Sequence, residues 1–231
     1  MLGRAIFITG TGTGVGKTHV TGLLLRALRL RGCNAVTMKP VQTGATREGR
    51  GWRVPDLEEH WRLAGEKMPE DATVFAPYCY APAVSPHLAG RLAGEPVSLE
   101  HLAGRAESLR GTYDAVLIEG AGGLLVPLNE QETTLDFVRL LGIPLLVVAH
   151  AGLGTINHTL LTVAAARAAH VEVAGVVLND WPAEPEQAIL ADNPTIIERL
   201  GNVKIWKLDR LDALVRELSA VGTLSRETGA T

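Results

Sequence analysis

A phosphate-handling loop can be read from Gly10-Thr11-Gly12-Thr13-Gly14-Val15-Gly16-Lys17-Thr18. It follows a strand-like run, Ala5–Thr9, and opens an amphipathic segment, which is the setting such a loop requires. Glycines let successive backbone N–H groups turn toward one point, and the start of a helix adds positive dipole there. In this arrangement the backbone of Gly12, Thr13, Gly14, Val15 and Gly16 cradles ATP phosphates, Lys17 reaches the β- and γ-phosphates, and the Thr18 hydroxyl ligates Mg2+. The spacing is a variant of the usual G-x-x-x-x-G-K-T pattern. Its first glycine should fall at position 11, which is Thr11, and Gly10 stands one residue early. If Gly10 takes that role, the loop is longer by one residue.

Other residues of chemical interest sit where apolar runs end. Glu119 closes the run Ala115–Ile118 and enters a glycine turn, Gly120-Ala121-Gly122-Gly123. A carboxylate at that position can organise magnesium or water beside the phosphates. Lys39 follows Ala35–Met38, at a strand's carboxyl end, where open α/β sheets bind ligands. A second cation there would neutralise charge on a transferring phosphoryl group, although lysine in isolation is more often simply exposed. Thr43 is a candidate substrate donor. Asp56, behind Pro55, reads equally as a helix-start acid or as a magnesium partner. Leu153, Gly154, Thr155, Ile156 and Asn157 begin a helix whose free N–H groups could hold a carboxylate. Asn179 ends another apolar run and offers both donor and acceptor to an adenine edge, or else serves as a turn residue. His87 in Ser85-Pro86-His87 has no nucleophile elbow or triad ordering beside it and reads as a structural helix-start residue.

Positioning these groups requires a sheet. Short apolar runs at 5–9, 35–38, 115–118, 145–149, 173–178 and 203–206 lack polar alternation, which suits strands buried on both faces. Between them lie helical patterns at 17–30, 56–64, 99–109, 134–141, 155–169, 184–199 and 209–220. The first has Val20, Leu24, Ala27 and Leu28 on one stripe. The expected fold is α/β: a mostly parallel central sheet with helices on both faces, P-loop NTPase-like, as one domain over 1–231. The stretches 43–55 and 70–86 break the alternation and read as loops, and 222–231 as a frayed tail.

The bulk properties agree. A chain that is 46% hydrophobic and 20% charged is ordinary for a globular protein, and its net charge of −3 argues against a general nucleic-acid binder. Two cysteines, Cys33 and Cys79, make no disulfide framework and no zinc pattern. No apolar run approaches the roughly 18 residues of a membrane span, and no signal-peptide pattern is present, so a cytoplasmic location and no membrane partner are expected.

Taken together, Gly10–Thr18, Lys39-Pro40-Val41-Gln42-Thr43-Gly44 and Glu119-Gly120-Ala121-Gly122-Gly123 closely resemble the dethiobiotin synthetase family. Ser85-Pro86-His87, the stretch 153–158 and Asn179-Asp180 look like further landmarks, in order along most of the chain. The resemblance implies an ATP- and Mg2+-dependent ligase acting on 7,8-diaminopelargonic acid and CO2 in biotin biosynthesis, through a carbamate and a carbamic–phosphoric anhydride. It implies phosphate and transition-state contacts from Thr13, Lys17, Thr18 and Lys39, and magnesium partners Thr18, Asp56 and Glu119. It implies diamine or carbamate contacts from Thr43 and Gly122, and an adenine contact from Asn179. It further implies a homodimer in which the 153–157 helix start reaches the partner's substrate carboxylate. Two departures stand out: Gly12 replaces an aspartate common in the family, and Ile205 is followed by Trp206 where an Ile-Pro ending is usual. Rival readings are a cobyrinic-acid-type amide synthase, for which the chain lacks a glutaminase domain, and a partitioning-type ATPase. The latter would carry a signature lysine early in the loop, where Gly12 stands.

Overall fold

The structure, a computed structural model, describes residues 4–49, 51–180 and 187–220. The chain begins with β1 (Arg4–Gly10), α1 (Lys17–Arg29), β2 (Ala35–Met38) and β3 (Val41–Thr43). A hairpin, β4 (Thr46–Glu48) and β5 (Gly51–Arg53), leads into α2 (Pro55–Ala64), β6 (Tyr78–Tyr80), α3 (Pro86–Ala93) and α4 (Leu99–Thr112). Then come β7 (Ala115–Gly123), α5 (Thr134–Leu141), β8 (Leu145–His150) and α6 (Thr155–Ala168). β9 (Val173–Asn179), α7 (Gln187–Gly201), β10 (Ile205–Lys207) and α8 (Leu211–Ala220) complete the order.

Among the described residues the main sheet has six strands in the order β10-β9-β8-β1-β7-β2, and every pairing in it is parallel. The path from β1 to β2 runs one way along the sheet, and the path from β2 back through β7, β8, β9 and β10 runs the other. With right-handed crossovers, a reversal of direction places the connecting helices on opposite faces. Accordingly α4 packs with α5 and α6 with α7, away from α1; α2, although it follows β2 in the chain, packs against α1, as does α8. Strands covered on both sides must be apolar throughout, and Ile6, Phe7, Ile8 and Val116–Ile118 are all buried. The apolar stripe of α1 is buried as its spacing requires.

The sequence left two stretches without regular structure, and both contain some. Within 43–55 lies the β4–β5 hairpin, turning at Gly49 (φ 57°), with the Arg47 guanidinium 3.9 Å from the Trp52 ring centroid. Its strands are three residues long, too short for any periodicity to register. Within 70–86 lies β6, whose parallel partner β3 stands 37 residues earlier in the chain, Val41 opposite Tyr78. Helix α3 is entered through Ser85 with Pro86 in its first turn, which bears out His87 as a helix-start residue and ends the 70–86 stretch in regular structure. The expected helix 184–199 is found at Gln187–Gly201, and the last strand at Ile205–Lys207. Residues 184–186 and the expected tail 222–231 lie outside the described residues. Cys33 and Cys79 are free. No helix of the described residues is long and apolar enough to cross a membrane.

β7 is the strand on which the site depends, because it lies between β1 and β2. Ile8 stands opposite Glu119, and Met38 opposite Ile118. The carboxyl ends of three adjacent strands therefore present the P-loop, Glu119 and Lys39 side by side. Gly120 fixes the height of β7: a Cβ there would sit 2.8 Å from the Phe7 ring, itself clamped edge-on by Phe137 at 5.9 Å. Overpacking a closed core costs about 1–3 kcal/mol. Gly120→Ala is thus expected to lower unfolding stability by that amount in denaturant titrations and to disturb the neighbouring Glu119.

Candidate active site

The loop after β1 is held in a strained but well-supported turn. Gly14 (φ 76°) and Gly16 (φ 93°) take left-handed backbone, which disfavours any side chain. Gly10 is crowded by the loop itself: an added Cβ would lie 2.7 Å from both the Gly12 carbonyl oxygen and Val15 Cγ2. It therefore takes the first-glycine role, and the loop is longer by one residue. Thr11 N–H donates to the Val148 carbonyl at 2.9 Å and ties the loop to β8. From below, Asn179 at the end of β9 donates its side-chain amide to the Val15 carbonyl at 2.9 Å. A Cβ on Gly16 would be 1.9 Å from that same amide nitrogen. Lys17 Nζ donates to the Gly12 carbonyl at 3.1 Å and so curls back over the loop it serves.

Beside the loop lies a buried ionic cluster. Glu119 is 1% exposed, and both of its oxygens are engaged. Oε1 accepts from Lys39 Nζ at 2.7 Å and from the Thr18 hydroxyl at 3.0 Å. Oε2 is 2.6 Å from His60 Nε2. Lys39 also pairs with Asp56, and its backbone N–H is fixed to the Phe75 carbonyl at 2.8 Å. Burial is the largest single influence on Glu119 and opposes its charge, but Lys39 and His60 together outweigh it and hold the carboxyl well below the usual range. Burial likewise opposes charge on Lys39, and the two carboxylates overcome it, keeping the ammonium charged above the ordinary lysine value. Lys17 differs. Its own burial and then the Lys39 charge lower it to about 8, against the smaller pull of Glu119 and Asp56.

These groups share one cavity of about 720 Å³, lined among others by Thr13, Gly14, Gly16, Lys17, Thr18, Lys39, Thr43, Asp56, Glu119 and Gly122. The remaining candidates lie elsewhere. Gly12 and Val15 belong to the loop but do not face this cavity, and Asn179 supports the loop from beneath. Leu153, Gly154, Thr155, Ile156 and Asn157 are not in its lining. Gly154 does take the left-handed N-cap of α6, but Leu153 beside it is 94% exposed and Asn157 faces solvent. His87 lies in the first turn of α3, outside the cavity, with its N–H donating to the Pro127 carbonyl at 3.3 Å. His60 was not singled out from sequence. The available signal was its place four residues after Asp56 on one helix, which puts both on one face.

The donor set suits a hard divalent cation. Thr18, Asp56 and Glu119 offer only oxygen. Among the described residues no group of three or more His, Cys, Asp or Glu could hold a metal unaided.

A family model described as an AAA domain matches residues 4–216. The chain is 46% identical over 197 residues to the ATP-dependent dethiobiotin synthetase BioD of Anaeromyxobacter sp. (strain K), covering 85% of each. The chain belongs to the dethiobiotin synthetase family. The BioD of Anoxybacillus flavithermus is 38% identical over 204 residues, 87% of this chain and 89% of that one. Among solved structures, the cell division ATPase MinD of Pyrococcus furiosus superposes with a TM-score of 0.57 at 18% identity, covering 96% of this chain and all of that one. That likeness is one of fold. Gly12 borders open space: an added Cβ there meets nothing within 4 Å.

A lysine lowered to about 8 makes nucleotide binding depend on pH with a definite sign. A polyanionic phosphate favours the charged form and raises the Lys17 value on binding. Binding should therefore take up protons in a fraction that grows from small at pH 7 toward about one at pH 9, while affinity falls over the same interval. Calorimetry of ATP binding in buffers of different ionisation enthalpy measures this. A heat independent of buffer throughout that range would show Lys17 to be an ordinary charged lysine.

Proposed function

We propose that the chain is an ATP- and Mg2+-dependent cyclo-ligase. It carboxylates 7,8-diaminopelargonic acid with CO2 and closes the ureido ring of dethiobiotin, releasing ADP and phosphate, as a cytoplasmic step of biotin biosynthesis carried out by a single domain. The observation that carries this reading is the single cavity in which the P-loop lysine, a second buried lysine and an ionised carboxylate meet beside Thr43 and Gly122, in a chain of this family.

A carbamate is a weak electrophile until phosphorylated, so its activation needs ATP and an anionic acceptor held together. One diamine nitrogen adds to CO2 and loses a proton. The carbamate oxygen then attacks the γ-phosphorus, the bond to ADP breaks, and a carbamic–phosphoric anhydride forms. The second amine attacks the carbamate carbon and loses a proton, and phosphate departs with the electron pair of the broken C–O bond. The amides of Gly12 to Gly16, with Thr13 and Lys17, hold the β- and γ-phosphates. Lys39 reaches the charge that develops as the phosphoryl group moves, in a buried setting where such an interaction is strong. Thr43 and Gly122 contact the diamine or its carbamate. Thr18, Asp56 and Glu119 would hold Mg2+, which would supply positive charge beside the transferring phosphate. Asn179 serves the nucleotide through the loop it supports, its amide being donated to the Val15 carbonyl, and a cavity of about 50 Å³ between Leu178, Asp180, Asn193, Pro194 and Lys207 lies nearby.

The 153–157 helix start does not line the cavity of its own chain, and Leu153, Leu125 and Leu161 are 94%, 63% and 61% exposed. This supports a homodimer in which the α6 start of one subunit, through its free N–H groups, receives the substrate carboxylate bound to the other. Sedimentation velocity at assay concentration is expected to give a dimer, and a fully active monomer would rule the cross-subunit site out.

The reaction is tested directly. Protein, ATP, Mg2+, bicarbonate and the diamine should yield a product with the mass of the closed ring, and Lys17→Ala should abolish it. Folded protein that forms no ring, or a Lys17→Ala variant with normal turnover, would overturn the proposal.

A further inference from the structure

His60 is fully buried (0% exposed), yet its ring has only one hydrogen bond among the described residues. Nε2 meets Glu119 Oε2 at 2.6 Å, whereas Nδ1 is buried with no partner. A carboxylate only accepts, so Nε2 is the donor whatever Nδ1 carries. An unpaired buried polar atom is costly, and an apolar side chain would fill this slot without that cost. The histidine is therefore retained for its single bond to Glu119. Two features bring it there. It sits one helical turn after Asp56 on α2, so one helix delivers both groups to the same cluster. And α1 admits α2 closely at Gly22, where an added Cβ would be 3.1 Å from His60 Cα and 2.7 Å from the Leu63 side chain.

We infer that His60 is a positioning residue for magnesium: by clamping Oε2 it turns Oε1 of Glu119 toward the Thr18 hydroxyl and the phosphates. Without the clamp, Glu119 would keep Lys39 as a partner but could rotate about its last torsion, and its ordered oxygen would be lost at the metal. Partners of this kind, which hold a ligating carboxylate, typically change metal affinity about 10- to 100-fold when removed. The inference rests on the reading that Thr18 and Glu119 hold Mg2+.

The test uses Mn2+ as a paramagnetic probe, titrated into the full-length protein with ADP and followed by electron paramagnetic resonance. His60→Leu fills the slot without a donor and should weaken Mn2+ binding at least tenfold. His60→Gln, whose amide nitrogen can occupy the place of Nε2, should stay within about threefold of the parent. If His60→Leu does not fold, His60→Asn serves in its place, since it is polar but too short to reach Glu119. Ring formation should show a raised magnesium requirement with KM for the diamine unchanged. In a Glu119→Gln background the His60 substitution should add no further loss. Equal Mn2+ affinity in the Leu or Asn variant and the parent, an equal deficit in the Gln variant, or an undiminished effect beside Glu119→Gln would each overturn the assignment. If Glu119→Gln itself left Mn2+ binding unchanged, the magnesium reading would fall and His60's role with it. Ring formation by the parent would still stand.

Discussion

A single carboxylate, buried where water cannot solvate it, governs the arrangement of this site. Glu119 stays ionised only because Lys39 and His60 lie against it and Thr18 donates to it. Removing one partner from a buried charge pair typically costs about 3–5 kcal/mol, far more than an exposed pair contributes. Each partner comes from a different element: Thr18 from the first turn of α1, Lys39 from beyond β2, His60 from α2. The need to neutralise one charge therefore ties together the elements that must also surround a nucleotide.

The sheet order explains why this convergence is possible. β7 enters between β1 and β2 although it follows both in the chain. A late strand thus places its carboxylate between two early cationic loops. Glycine makes the fit close. Gly120 admits the Phe7 ring, Gly22 admits α2, and Gly16 admits the Asn179 amide. At each place a methyl group would separate two elements that the site requires in contact.

The two lysines are set differently by the same neighbourhood. Lys39 sits between two carboxylates and keeps its charge, whereas Lys17 feels burial and the Lys39 charge first and is lowered to about 8. The site thus holds one fixed positive charge and one that a phosphate can strengthen on arrival. That division suits a site that must bind a polyanion and then share its charge with a second anionic group.

Much of the site could be read from residue order alone, because its signals are local. The glycine spacing before Lys17-Thr18, a charged residue closing an apolar run at Glu119 and at Lys39, and the 3.6-residue stripe of α1 all depend on neighbours along the chain. The parallel sheet was legible for the same reason, since strands buried on both faces show as unbroken apolar runs. Tertiary structure alone decided what depends on distant partners. β6 exists because β3 lies beside it, Asn179 turns inward because the loop offers the Val15 carbonyl, and His60 acquires its role from a carboxylate 59 residues away. The one local mark this histidine carries is its place a helical turn after Asp56, and that spacing names no partner for it. Only the fold, by closing α2 on α1 beside β7, gives it a charge to hold.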